Sequence, residues 1–146
     1  QVPEGEYLIP IGVADVKREG KDVTIVSYGK ILKVALQAAE DLAKEGISAE
    51  VIDLRTVRPI DFEAIVNSVK KTNRLVIVEE TWPLASISSE ISYHVQRYAF
   101  DYLDAPVMRV TSRDLPLPYA PTLIEAILPN VKRTIDAVKS VMYQNK

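Results

Sequence analysis

The chain has 146 residues, a formal net charge of −2, and 47% hydrophobic against 26% charged side chains, the profile of one globular domain large enough to bury its own core. Cysteine is absent and histidine occurs once, which removes disulfides, thiolate metal sites, a cysteine nucleophile and most histidine-based acid–base schemes. No basic patch invites nucleic acid, no apolar run approaches the ~18 residues of a membrane span, and no signal-peptide pattern opens the chain.

Residues 1–10 combine Pro3, Gly5 and Pro10 with the apolar patch Tyr7-Leu8-Ile9, the composition of an interdomain tether that touches a surface. The chain opens on Gln1, and its only methionines are Met108 and Met142, so a piece of a longer protein is expected, with a domain upstream of the tether. Residues 11–146 are expected to form the folded unit. Strands are predicted over 11–16 and 23–28. The Arg18-Glu19-Gly20-Lys21-Asp22 stretch between them is too short for a crossover, so the two should pair antiparallel.

Beyond residue 30 the pattern alternates: helix 31–44, strand 50–54, helix 62–71, strand 75–79, helix 87–100, strand 107–110, then helices near 123–128 and 131–142. Such alternation builds parallel βαβ units. Ile31, Ala35, Ala38 and Leu42 fall on one helical stripe, as do Val131, Ile135, Val138 and Met142. Leu75-Val76-Ile77-Val78 is an unbroken apolar run of the kind found in strands covered on both faces. The predicted fold is therefore α/β, a three-layer α/β/α sandwich on a mixed, mostly parallel sheet of about five strands with the first antiparallel. Asp61 is placed to cap the helix that starts at Phe62, Gly46 to end the first helix and Asn130 to cap the last.

Open α/β sheets take ligands at the carboxyl ends of their strands, so Tyr28-Gly29-Lys30, Asp53-Leu54-Arg55, Glu79-Glu80-Thr81 and Thr111-Ser112-Arg113 are the places to search for chemistry. Gly29-Lys30 before a helix hints at a nucleotide, but no glycine-rich phosphate loop surrounds it, and a tight turn into the helix suffices. Glu79 and Glu80 should point to opposite faces of the strand end, which suits interdomain hydrogen bonds and solvated charge better than a converging carboxylate pair. Arg55 and Arg58 bracket Thr56-Val57 as two guanidinium forks that read as structural pairing. His94 shares a helix with Ile87, Ile91, Val95 and Tyr98, and no nucleophile elbow accompanies it, so it reads as a core or interface histidine. Trp82, Tyr93, Tyr98, Phe100 and Tyr102 crowd one stretch. That density suits either a core or a partner-facing surface, with Trp82, Tyr93, His94, Tyr98 and Phe100 as the candidate contacts.

The run from Glu50 through Asp53-Leu54-Arg55-Thr56-Val57-Arg58-Pro59-Ile60-Asp61 resembles the Asp-Leu-Arg-Thr-x-x-Pro-x-Asp signature of the transketolase carboxy-terminal domain, as carried by beta subunits of 2-oxoacid dehydrogenases. Val78-Glu79-Glu80 with Trp82-Pro83, Leu103-Asp104-Ala105-Pro106-Val107, and Asp114-Leu115-Pro116-Leu117-Pro118-Tyr119-Ala120 extend the likeness, the last and the Trp-Pro pair being more like the pyruvate enzymes. The resemblance runs from about Pro3 to Tyr143. One departure is Leu84-Ala85-Ser86-Ile87-Ser88-Ser89-Glu90, where the family often has glycines.

The resemblance implies an oxidoreductase subunit whose thiamine diphosphate and magnesium belong to the full enzyme, none of it bound by this fragment and no catalytic or metal residue within it. It further implies scaffolding: contacts in a beta-subunit homodimer, contacts with an alpha subunit, and docking of the subunit-binding domain of a dihydrolipoyl acetyltransferase. Asp104 occupies a position where the family sets an acid against basic residues of that docking domain. A bacterial cytoplasm, or the mitochondrial matrix of a eukaryote, is the compartment implied. The same domain from 2-oxoisovalerate dehydrogenase, acetoin dehydrogenase, deoxyxylulose-phosphate synthase or transketolase, and a flavodoxin-like small-molecule binder, stand as alternatives.

Overall fold

The computed structural model describes residues 4–143. Its elements run β1 (Asp15–Arg18), β2 (Val23–Ser27), α1 (Leu32–Lys44), β3 (Ala49–Asp53), α2 (Phe62–Thr72), β4 (Leu75–Val78), α3 (Ile87–Ala99), β5 (Met108–Val110), α4 (Pro121–Ile127) and α5 (Val131–Val141). Single 3₁₀ turns precede α1, over Gly29–Ile31, and follow α3, over Phe100–Tyr102. The five strands lie in the order β1-β3-β2-β4-β5, all parallel except β1.

Alternation along the buried strands sends one set of side chains to each face. Val23, Ile25, Val51, Val76 and Val78 pack against α1 and α5 through Ala35, Ala39, Leu42, Val138 and Val141. Val26, Ile52, Leu75 and Ile77 pack against α2 and α3 through Ile65, Val69, Ile91 and Val95. The predicted three-layer sandwich is thus the observed one, with all of these side chains buried.

Two local expectations are corrected. First, β1 begins at Asp15 rather than at residue 11. Gly12 stands at φ +79 and donates its N–H to Thr56 Oγ1 (3.1 Å), and the Ala14 N–H goes to Asp61 Oδ2 (2.9 Å). Side chains of the 56–61 loop therefore hold this segment in place of a strand ladder. Second, β1 pairs not with β2 but with β3, which lies between them. The hop spans two strand spacings, about 10 Å, which four extended residues cover. Residues 19–22 arch over the start of β3: the Lys21 and Asp22 amides both donate to Ser48 O, and Asp22 Oδ2 accepts from Ser48 N (2.7 Å). A Cβ on Gly20 would lie 2.1 Å from Glu50 N, so only glycine lets the arch pass this close.

The caps fall as read. Asp61 Oδ1 accepts from Ala64 N (3.0 Å), Asn130 Oδ1 accepts from Arg133 N (2.9 Å), and Gly46 follows α1 at φ +85. Residues 4–10 form neither helix nor strand and are exposed; residues 1–3 of the expected tether lie outside the described chain.

Candidate functional site

Because β3 is added on one side of β2 and β4 on the other, the strand order reverses at β2, and the crevice at the carboxyl ends of β2 and β4 is where such sheets place ligands. Here the chain's own side chains fill it. The Tyr28 hydroxyl donates to Glu79 Oε2 (2.9 Å), and the amide of Ser88, in the first turn of α3, donates to both Glu79 oxygens (3.3 and 3.2 Å). Glu79 is 0% exposed, a carboxylate set at the positive end of a helix. Burial pushes the Tyr28 phenol well above its ordinary range, and the neighbouring carboxylate adds to the rise. Lys30 Nζ, above the same crevice, lies 3.3 Å from Glu80 Oε2. Glu79 and Glu80 do diverge, yet Glu79 serves the interior of this domain, which corrects the interdomain reading: it is buried and accepts from Tyr28 and Ser88.

The end of β3 is occupied too. Asp53 Oδ1 accepts from the Arg55 amide (3.0 Å), and Arg55, held at φ +56, reaches Asp15 Oδ2 with Nη2 (2.6 Å). Arg58 is exposed and does not join it. Among the described residues no group of three or more acidic or histidine side chains is placed to hold a metal.

What the chain offers outward is apolar. Leu84 is 84% and Tyr119 100% exposed, and Trp82, Leu115 and Leu117 stand beside them with more than half of each residue open. The Trp82 indole N–H, donated to Leu115 O (3.1 Å), ties the two loops together. On α3 and the turn after it, Tyr93, Tyr98, Phe100 and Tyr102 are exposed as well. His94 is half-buried, stacked on Phe62 with ring centroids 3.8 Å apart and tilted against Tyr98 at 4.5 Å. Burial lowers its pKa, Glu90 opposes that, and Arg97 adds to it, so the neutral ring is favoured. So many open aromatic and aliphatic side chains suit a partner-facing surface.

Asp104, in the segment leading to β5, keeps 54% of its side chain exposed. Arg74 Nη2 lies 3.1 Å from its Oδ2, its amide donates to Asn73 O (2.9 Å), and its carbonyl accepts from Tyr143 Oη (2.8 Å). Beside it, Ser92, Gln96, Phe100, Leu103 and Val107 line a groove of about 510 Å³. The glycine-poor segment is likewise braced: Ala85 sits at φ +53, while Arg109 Nη1 donates to Pro83 O (2.9 Å) and Ser89 Oγ (2.6 Å).

Sequence reasoning missed a buried polar cluster at the opposite end of the sheet. Glu50 is buried and accepts from Ser68 Oγ (2.6 Å), the Gly20 amide (3.3 Å) and Lys71 Nζ. Its signal was present: Ser68 and Thr72 sit on the same helical stripe as Ile65 and Val69, polar residues at core positions.

Residues 12–134 match the family described as Transketolase, C-terminal domain. The chain is 55% identical to the mitochondrial pyruvate dehydrogenase E1 component subunit beta of Dictyostelium discoideum, over 100% of this chain and 41% of that one. Against the pyruvate dehydrogenase E1 component subunit beta of Rhizobium meliloti it is 48% identical, over 99% of this chain and 32% of the other. The chain thus spans a third to two-fifths of these relatives. Among solved structures it is similar to a split-gene transketolase described as an inactive beta4 tetramer, with a TM-score of 0.83 and 29% identity, covering 100% of this chain and 46% of that one. With the mixed sheet and the matched residues in agreement, the chain belongs to the transketolase C-terminal domain family.

Proposed function

We propose that this chain is the carboxy-terminal assembly and docking domain of the beta subunit of a pyruvate dehydrogenase, the enzyme that decarboxylates pyruvate and acetylates the lipoyl group of an acetyltransferase. The observation that carries the reading is the contrast between a crevice filled by Tyr28 and Glu79 and the exposed apolar side chains of α3 and of the Trp82 and Leu115 loops, joined to identities near 50% with pyruvate dehydrogenase beta subunits over the whole chain. The strand ends lack a glycine-rich phosphate loop, and Lys30 faces Glu80, so the residues present do not suit a diphosphate. Thiamine diphosphate and magnesium are therefore assigned to parts of the enzyme outside this chain, and the chemistry they supply needs no group from it.

The exposed set of Trp82, Tyr93, Tyr98 and Phe100, with His94 at its edge, is assigned to contacts with a second beta subunit and with an alpha subunit; the beta4 tetramer of the structural relative supports association between copies. Asp104 is assigned to docking of the acetyltransferase, because its carboxylate is half open and its one cation is held by a single contact that a partner's lysine or arginine can share. The residues preceding Gln1 are assigned to the domain that helps hold the cofactor, with residues 1–10 as the tether. The compartment is that of the relatives, a mitochondrion or a bacterial cell interior; no helix of the described residues is long and apolar enough to cross a membrane.

Asp104→Lys in the intact alpha–beta assembly should weaken acetyltransferase binding by ~2–5 kcal/mol if the pair becomes buried on docking, read by calorimetry or surface binding. An unchanged affinity removes Asp104 from the site. Titrating this chain alone with thiamine diphosphate and magnesium should give no binding heat, and tight binding there would overturn the assignment.

A further inference from the structure

Four side chains in the core beneath α2 form a line. Ser68 Oγ lies 2.6 Å from Glu50 Oε1, Thr24 Oγ1 lies 2.6 Å from Ser68 Oγ, and Thr72 Oγ1 lies 2.6 Å from Thr24 Oγ1. All four residues are buried. Each of the three contacts consumes one hydrogen, and the three hydroxyls own one each. With Glu50 ionised, only Ser68 can supply the first contact; Thr24 must then supply the second and Thr72 the third. Every hydroxyl points toward the carboxylate.

Thr72 loses nothing by this. The two carbonyls within its reach, Ser68 O (3.1 Å) and Arg74 O (3.2 Å), have other donors: the first is in the ladder of α2, and the second accepts from Thr24 N (2.9 Å). A proton on Glu50 Oε1 reverses the line. Glu50 then donates to Ser68, Ser68 to Thr24, Thr24 to Thr72, and Thr72 to one of those carbonyls, so four hydrogens serve four contacts. Both orders leave no hydroxyl hydrogen without an acceptor.

We propose that Glu50, Ser68, Thr24 and Thr72 are a reversible hydrogen-bond relay whose direction is set by the charge on Glu50, and that this relay makes Glu50 an acid-sensitive latch on the arch between β1 and β2. The other oxygen, Oε2, holds the arch, through the Gly20 amide and through Lys71, which also reaches Glu19 Oε2 (3.1 Å). Lys71 from α2 and Glu19 from the arch are the charged groups in this cluster; β2 faces it with the uncharged Thr24. Neutralising Glu50 removes the charge that holds Lys71 and Gly20 while the relay keeps the core hydroxyls satisfied. The Gly20 end of the arch is loosened without the core being disrupted, while the bonds of Lys21 and Asp22 to Ser48 stay in place.

The test is the carboxyl titration of Glu50, followed by carbon NMR in the chain and in three variants. Thr72→Val deprives Thr24 of its acceptor in the neutral state only, so the Glu50 pKa should fall by about one unit. Thr72→Ser should restore it. In Ser68→Ala the line is cut at its first link, so adding Thr72→Val to that variant should produce no further shift. A Glu50 titration that Thr72→Val leaves unchanged or raises, or an equal shift from Thr72→Val with and without Ser68, would overturn the relay.

Discussion

Tyr28 and Glu79 show how a residue at a ligand-binding position can be spent on the fold. A buried carboxylate needs donors, and this one has a phenol and a single helix amide. Tyr28→Phe removes the phenol donor and should cost about 1–3 kcal/mol in a urea titration, with the helix amide left to hold Glu79. Since the folded phenol is raised above its unfolded value of 10, its contribution is complete below that pH and is lost as pH rises beyond it. An alkaline absorbance titration should therefore contain a late phenolate step, and Tyr28→Phe should abolish it. Glu50 has the opposite sign. Burial raises its pKa, but the donors Lys71, Ser68 and Gly20 outweigh that and hold it below its ordinary 4.5. Its stabilisation is present above that value and lost as pH falls through the lowered one. Glu50→Gln should thus lower stability at neutral pH by roughly 1–3 kcal/mol and flatten the loss of stability below pH 4.5, as read from urea midpoints across pH.

At the scale of elements, most of the chain was legible because period and punctuation agreed. The apolar run of β4, the stripe of α1, and the caps Asp61 and Asn130 each carry a local signal that the tertiary structure leaves intact, whereas on α5 the buried face is Thr134, Ala137, Val138 and Val141, sharing only Val138 with the predicted stripe. The pairing of β1 was not legible, since a short connection between two strands looks alike whether they are neighbours or have a third strand between them. Only Gly20 carries the distinction, through a close approach that no spacing rule encodes. Gly20→Ala should be among the most damaging small substitutions in the chain, on the order of 2–3 kcal/mol, because the clash is with the backbone of β3 and not with a side chain that can turn away. Urea denaturation checks this; a midpoint within experimental scatter of the parent would show that the arch can lift at no cost. The segment before β1 was misread for a related reason: alternating apolar residues suggest a strand, while the donors of Gly12 and Ala14 are taken by Thr56 and Asp61.

For the molecule as a whole, the layered architecture followed from alternation, but the candidate site did not. Exposure decides whether aromatics such as Trp82 and Tyr98 belong to a core or to a surface, and sequence composition is the same in either case. Asp104 was reached by resemblance alone; nothing in its local pattern tells that Arg74 from the end of α2 and Tyr143 from beyond α5 converge on it. Long-range convergence of this kind is invisible to periodicity, which reports only on neighbours along one element.

The strand order carries a consequence for how the chain assembles. β1 is synthesised before β2 and β3, yet it has no partner until β3 has been laid beside β2, and that in turn requires α1 to complete its crossover. Within this domain the first strand to be made is thus the last on its side to find a place. Until then its hydrogen-bonding edge is open to any passing polypeptide, and the charged residues Asp15, Lys17 and Arg18 that it carries are a fitting guard for that interval.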